Sequence, residues 1–489
     1  MCLVLYTNTR IYQIKKMLRR CLLIISLITY FAQIASAQQP WTLQQCIDQA
    51  LKYNIQIKQS SLNNDLNKAQ VTQNTAALFP SINGNATQDY NFGRFIDPQT
   101  NTYTNRDQQV NSNSFSLSGN LTIFQGFQMQ NNLKESKLSY LASQNDLKKI
   151  KDDISINVVN FYLQVLFNED LMKISFDQMN ASIVQRDRMK RMYDLGSVNK
   201  GNYLDLESQF ASDEVKYIQA QSQYTQSLLS LTQLLELDTL KNFTIAKPEV
   251  IIPAFDSTQL LVERIYQVAL KTQPDVKSSE YKSLSSEKKL SAAKGALYPR
   301  IFLNGTIYTN YSSSIQSLSY SGTTLIPNIY STPTETIYTS IPTLVLSDKA
   351  FNNQFNDNLG KAVGFTMQVP IFNGWASRSN IARSKINLEQ SRLNYELTRK
   401  NIYKSVQQAV IDATSSYKKF IAGQRSVDAL QETFNYNQQR FDLGLINTYD
   451  YLFSKNNLAN AQANLLQAKY DYIFKIKILD FYQGKPLTF

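Results

Sequence analysis

Histidine is absent from all 489 residues, so no imidazole can act as a general base, a metal ligand or a triad member. Cysteine occurs three times, and only Cys46 lies beyond the N-terminal leader described below. A single thiol closes no intrachain disulfide, so Cys46 reads as a packing residue. No nucleophile–base pair and no cluster with metal-ligand spacing stands out, which predicts a protein that is not an enzyme and needs neither cofactor nor metal. Basic residues are interleaved with acidic ones and form no block beside aromatic side chains, which argues against nucleic acid as a partner. What the spacing does offer is solvation. In Ser81–Phe92 the polar residues Asn83, Asn85, Thr87, Asp89 and Asn91 alternate with Ile82, Gly84, Ala86, Tyr90 and Phe92, Gln88 being the exception. Ser114–Ile123 alternates Ser, Asn and Thr with Phe115, Leu117, Gly119, Leu121 and Ile123. The same dyad returns at Ile301–Ile307 and Val363–Ile371. A face of amides and hydroxyls holds water, and about 10 residues is the length of a tilted strand crossing a bilayer.

Such strands need an export route. Lys15, Lys16, Arg19 and Arg20 precede the apolar run Cys21–Ala32, and Ala35-Ser36-Ala37 is a small-residue cleavage pattern. Residues 1–37 are therefore read as a signal peptide, with Met17 an alternative start. Its removal leaves 452 residues and lowers the formal charge from +12 to +7, since the leader holds five basic residues and no acidic one.

The chain is internally duplicated. Ala50-Leu51-Lys52 returns as Ala269-Leu270-Lys271, and Ala77-Leu78-Phe79-Pro80 as Ala296-Leu297-Tyr298-Pro299, both offset by 219. Ile123-Phe124-Gln125-Gly126 returns as Ile371-Phe372-Asn373-Gly374, and Tyr193-Asp194-Leu195-Gly196 as Phe441-Asp442-Leu443-Gly444, both offset by 248. The second copy thus carries 29 extra residues between its two strands. We read a first repeat over 38–257, comprising a helix to residue 78, a β-hairpin at 81–124, a long helix at 127–195, a return helix at 203–237 and a linker at 238–257. The second repeat, 258–489, has a helix over 260–297, a hairpin at 300–372, a long helix at 375–443 and a return helix at 451–482. Residues 312–359, with Pro327, Pro333 and Pro342, predict a long extracellular loop without regular structure. Residues 127–195 contain neither Gly nor Pro, and Leu147, Ile150, Ile154, Val158, Phe161 and Val165 open a heptad seam. At 1.5 Å per residue the long helix reaches roughly 100 Å, about the combined length of the return helix and the helix that enters the next strands.

Four membrane strands cannot close a barrel alone, because an open edge is not tolerated in lipid. The chain must oligomerise, and the polar inner faces favour three copies with a wet lumen over two with a filled one. A trimeric structural or adhesive protein with a coiled-coil stalk is the alternative, but it explains neither the duplication nor the polar strand faces.

The ordered motifs together resemble the TolC family of outer-membrane efflux proteins over essentially the whole mature chain. The motifs are the Ala-Leu-Phe/Tyr-Pro entry to the strands, the Ile-Phe-Gln/Asn-Gly exit and the two aromatic-Asp-Leu-Gly turns. The resemblance implies a mixed fold: a membrane β-barrel and an all-α periplasmic barrel, four strands and long coiled-coil helices per protomer, assembled as a homotrimer in outer-membrane lipid. It implies a channel of a tripartite export system, fed by an inner-membrane pump through a periplasmic adaptor (membrane fusion) protein, with drug, metal, dye or protein as cargo. It places Leu195, Gly196, Ser197, Leu443, Gly444 and Leu445 at the rim that meets the adaptor. The acidic constriction of the family falls at Asp450 and Phe453 in the second copy and at Asn202 and Asp205 in the first. Each copy thus keeps one carboxylate, Phe453 replaces an acid, and Ile446 stands where the family can have a locking arginine.

Overall fold

The computed structural model describes residues 40–94, 96, 101, 103, 109–238, 243–248, 261–328, 330 and 332–486. The segment read as a signal peptide, 1–37, and most of the stretch read as a linker, 238–257, lie outside the described residues. The described residues divide into two compact units, one within 40–64, 143–278 and 395–486, the other within 65–142 and 279–394.

The first unit is helical. Helix α1 (Leu43–Tyr53) opens with a capping box, Thr42 Oγ1 accepting from Gln45 N at 3.3 Å while Thr42 N donates to Gln45 Oε1 at 2.9 Å. The helix read as continuous from Trp41 to Leu78 breaks at Asn54, whose backbone is extended and whose side chain accepts from Gln56 N and so starts α2 (Ile55–Ala76). The helix read over 260–297 breaks likewise at Gln273, between α5 (Val262–Thr272) and α6 (Pro274–Gly295). Here the cause is local, because Pro274 crowds the residue before it out of the helical region and is itself suited to the first helical position. Gln273 lies 219 residues after Asn54, so the two breaks are one feature of the repeat.

The long helices α3 (Gln128–Asp194) and α8 (Ala376–Asp442) are each 67 residues, and the return helices α4 (Lys200–Leu234) and α9 (Thr448–Tyr482) are each 35. One face of α3 (Val158, Val159, Tyr162, Val165 and Leu166) is buried against Cys46, Leu231, Leu235 and Ile473. Tyr162 donates to the carbonyl of Trp41 at 3.1 Å and contacts that of Ala246, clamping the parallel bridge between Trp41 and Ile245. Cys46 is fully buried, and burial pushes its thiol up to about 12, so it packs and does not react at neutral pH.

The second unit is built on a four-stranded antiparallel sheet in the order β1-β2-β3-β6, with β1 Ser81–Phe92, β2 Gln109–Gln125, β3 Arg300–Ser312 and β6 Gly360–Gln368. Register joins the dyads into two faces, the apolar one interrupted by the Gln88–Asn113 row, Thr309 and Lys361, the polar one by Phe302 and Tyr308. Gly84, Leu117 and Ile307 share one row of the apolar face, and Leu121, Leu303 and Phe365 another. Asn83, Ser118 and Thr306 share a row of the polar face, as do Asn120, Asn304 and Gly364. The alternation read as far as Ile123 slips there, because a bulge makes Ile123 the extra residue and sets Phe124 opposite Ile301. Ile82, Val363, Phe365 and Met367 are all largely exposed, as a lipid-facing surface requires.

The 312–359 segment corrects the expectation of a loop without regular structure. It holds β4 (Gln316–Pro327) and β5 (Tyr338–Asp348), paired among the described residues with each other alone, and the short helix α7 (Phe351–Asp357). The prolines are compatible with this ribbon: Pro327 ends β4, Pro333 lies in the turn, and Pro342 sits in a strand that has a free edge for its missing donor. Helix α7 packs Phe351 and Phe355 around Phe115, at 6.3 and 5.9 Å between ring centroids. Gln354, fully buried, accepts from Ser312 N at 3.0 Å and donates to Ser312 O at 2.9 Å, a side-chain substitute for the ladder beyond the end of β6.

Candidate functional site

The residues singled out by sequence gather at the two turns that reverse the long helices into the return helices, both in the first unit. Each long helix ends on a glycine at φ +72°, Gly196 and Gly444, where only a residue without Cβ is unstrained. Ser197 N donates to Met192 O and Leu445 N to Arg440 O, each at 2.8 Å, closing the same C-terminal motif twice. The next helix restarts on an asparagine cap: Asn199 Oδ1 accepts from Asn202 N at 2.9 Å, and Asn447 Oδ1 from Asp450 N at 2.8 Å. An aromatic pair braces each turn. Tyr193 stacks on Tyr203 at 6.0 Å, and Phe441 stacks on Tyr451 at 4.5 Å.

Leu195, Leu443 and Leu445 project with 81%, 74% and 64% of their surface exposed, more than a closed helical hairpin needs. Gly196, Ser197 and Gly444 are exposed beside them. Ile446, at the position of the family arginine, instead joins a small core with Met189, Leu206 and Tyr451. The two turns are tied by Arg188, whose guanidinium pairs with the Asp442 carboxylate and reaches Asp442 O at 3.5 Å.

Asp205 and Asp450 are both exposed and, among the described residues, form no ion pair. Asp450 occupies the first turn of α9, where the helix dipole favours a negative charge, and Asn202 is its neutral counterpart in α4. Phe453, 58% exposed, stacks on Tyr449 at 6.2 Å, so an apolar step follows the carboxylate. Within one chain, therefore, the turns present leucines, two unpaired carboxylates at different levels and one bare aromatic pair.

Sequence reasoning missed a buried network just above the turns. Lys455 of α9 donates to Asp213 Oδ2 of α4 at 2.8 Å and contacts Ser182 of α3, while Ser182 Oγ donates to the same Oδ2 at 2.6 Å. Gln209 donates to Asp213 Oδ1 at 2.9 Å and exchanges amide hydrogen bonds with Asn456 at 3.3 and 3.2 Å. Lys455 and Asp213 are both buried. Burial alone would raise the Asp213 carboxyl, but the hydrogen bonds from Lys455 and Ser182 outweigh it and hold the group below its ordinary range. A Lys and an Asp 242 residues apart carry no signal in one dimension.

Comparison with known proteins decides what the architecture belongs to. The family model described as outer membrane efflux protein matches residues 46–236 and 265–475. The chain belongs to the outer membrane efflux protein family. The two matched stretches of this efflux protein begin 219 residues apart, the offset already seen between its repeats. It is 22% identical over 451 residues to the toluene efflux pump outer membrane protein TtgC of Pseudomonas putida, covering 90% of this chain and 83% of that one. It is 21% identical over 459 residues to the outer membrane protein TolC of Escherichia coli, covering 90% and 81%. The crystal structure of the outer membrane protein VceC of Vibrio cholerae superposes with a TM-score of 0.73 at 12% identity, over 91% of this chain and 96% of that one. The fold is TolC-like, and the protein is an outer-membrane channel of an efflux system, a family of channels and not of enzymes.

Proposed function

We propose that three copies of this efflux protein close one 12-stranded barrel in outer-membrane lipid and conduct substrate delivered by an inner-membrane pump through a periplasmic adaptor. The observation that carries this reading is the four-stranded sheet: one face is mainly apolar, the other mainly polar, and among the described residues β1 and β6 each have a strand neighbour on one side. In lipid each unpaired backbone group costs several kcal/mol, so the edges must meet those of other copies. Twelve strands leave a lumen, and the Asn, Ser and Thr face wets it. The rim of Leu195, Gly196, Ser197, Leu443, Gly444 and Leu445 is the surface for the adaptor, since exposed leucines on a rigid turn are a ready apolar contact. Asp450 and Asp205 form rings of three carboxylates that draw cations, with Asn202 level with Asp450 in the repeat and Phe453 supplying an apolar ring.

Protein purified in mild detergent is expected to have about three times the chain mass by light scattering, after allowance for bound detergent. A monodisperse monomer that still holds its β structure would overturn the reading.

A further inference from the structure

The β4–β5 ribbon has a face built to be covered. Its pairing sets Leu318 opposite Leu346, Tyr320 opposite Leu344, and Pro327 opposite Tyr338. Side chains alternate along a strand, so Leu318 and Tyr320 would share a face with even-numbered residues and Leu325 would fall on the other side. A bulge between Tyr320 and Gly322, with Gly322 at φ +136°, shifts β4 by one residue and returns Leu325 to the face of Leu318. The opposite face carries Ser317, Ser319, Thr324, Thr339, Thr343 and Ser347, with Ser347 and Ser319 joined at 3.2 Å, together with Ile326, Ile341 and Val345. The first face is therefore the more apolar of the two, although Thr323 and Ser340 lie on it. Leu318, Tyr320, Leu325, Tyr338, Leu344 and Leu346 are nevertheless each between 55% and 65% exposed in the single chain. A lone two-stranded ribbon is at best marginally stable in water and needs packing on one face.

We infer that the apolar face of this ribbon docks against the ribbons of the other copies of the same chain, forming a collar at the outer end of the barrel. The inference rests on the three-copy reading above. Two observations choose a second copy over other occupants. First, the ribbon is continuous with the sheet whose edges must already be met by copies: β4 starts four residues after β3 ends, and Ser313 N still donates to Asn111 O of β2 at 2.9 Å. Closing the barrel therefore brings identical ribbons together at one level. Second, lipid headgroups that recruit protein segments electrostatically do so through basic side chains, whereas Glu335 is the only charged residue from Gln316 to Ser347. A neutral apolar face suits another neutral apolar face. Its strands are about as long as those that cross the bilayer, so the ribbon adds surface beyond what the membrane needs.

The test uses the full-length protein in intact cells, with single cysteines introduced by Leu325→Cys and Leu346→Cys on the apolar face and Thr343→Cys on the polar face. Buried Cys46 remains in place, and the parent chain controls for it. A membrane-impermeant oxidant or a short bis-maleimide is expected to give covalent dimers with the apolar-face variants, at least fivefold more than with Thr343→Cys or the parent. The mass of each variant in detergent is measured in parallel. A trimeric mass with no cross-linking from either apolar-face cysteine overturns the collar and leaves the three-copy barrel standing. A monomeric mass removes both. Strong quenching of a fluorophore on Leu346→Cys by spin-labelled lipid, in the trimer, would show that the face lies on the leaflet and would also overturn the proposal.

Discussion

Lys455→Met is expected to lower the stability of the helical unit by about 3 kcal/mol at neutral pH, because it removes the buried cation beside Asp213 and leaves the half-exposed Lys216, 3.4 Å away, as the remaining partner charge among the described residues. The methionine fills the stem of the lysine, so loss of packing contributes little. Pairing it with Asp213→Leu should recover most of the loss, since two apolar groups replace a salt bridge at small cost whereas one orphaned charge does not. The pH dependence has a definite sign. In the parent, Asp213 is held below its unfolded value near 3.9, so its contribution is complete above about pH 4 and disappears as pH falls through the lower folded value. In Lys455→Met the largest of the influences that hold the carboxyl down is gone while its burial remains, so protonation costs the variant less than the parent. The gap between parent and variant should therefore be widest at neutral pH and narrow towards pH 4. Thermal melts followed by circular dichroism at pH 7.5 and pH 4.5 check this; a deficit of equal size at both would show that the charge is not what the pair contributes.

Gly126→Ala should largely abolish folded protein in the outer membrane, while Gly374→Ala at the repeat-equivalent position should be tolerated. Both glycines lie in the left-handed region, at φ +56° and +60°, and for alanine that backbone alone costs roughly 1–2 kcal/mol. The difference is space. A Cβ on Gly126 would sit 2.2 Å from the carbonyl oxygen of Gly295, whereas one on Gly374 meets nothing within 4 Å. Gly295→Ala should fail in the same way, since its Cβ would lie 2.4 Å from Gly126 O. Gly126 and Gly295 both belong to the second unit, where the C-terminus of α6 and the strand-to-helix turn before α3 touch backbone to backbone, and neither can give way cheaply. The readout is the amount of folded, protease-resistant protein in outer-membrane fractions, compared among the three variants.

The sequence patterns that carried most were those with long uninterrupted statistics. Residues 127–195 lack Gly and Pro, and α3 fills all but one residue at either end of that stretch. The strand dyads survive into register because the period of two is enforced on every row by pairing with the next strand. Three things were not legible. The break at Asn54 depends on its side chain capping the following helix, which an asparagine at a polar position does not announce; the equivalent break at Gln273 could have been read from Pro274. The ribbon at 316–348 was obscured by three prolines, which exclude a central strand but not a strand with a free edge. At the candidate site, the glycine turns follow from glycine itself, while the aromatic braces Tyr193–Tyr203 and Phe441–Tyr451 and the Lys455–Asp213 pair exist only through the antiparallel return of the chain.

The central claim is that three copies enclose a conducting path whose narrow end is lined by Asp205, Asp450 and Phe453. Single-channel recording in planar bilayers tests it most directly, with the parent, Asp450→Asn, Asp205→Asn and Phe453→Ala measured in asymmetric salt. A ring of three carboxylates in a narrow passage favours cations, so each Asp→Asn change should shift the reversal potential towards zero. Truncating Phe453 removes an apolar constriction and should raise conductance in the resting state. Discrete cation-selective openings that change in these directions would meet the claim. Variants that keep the conductance and selectivity of the parent would show that these side chains do not line the constriction, and a trimer with no openings at all would contradict the channel reading itself.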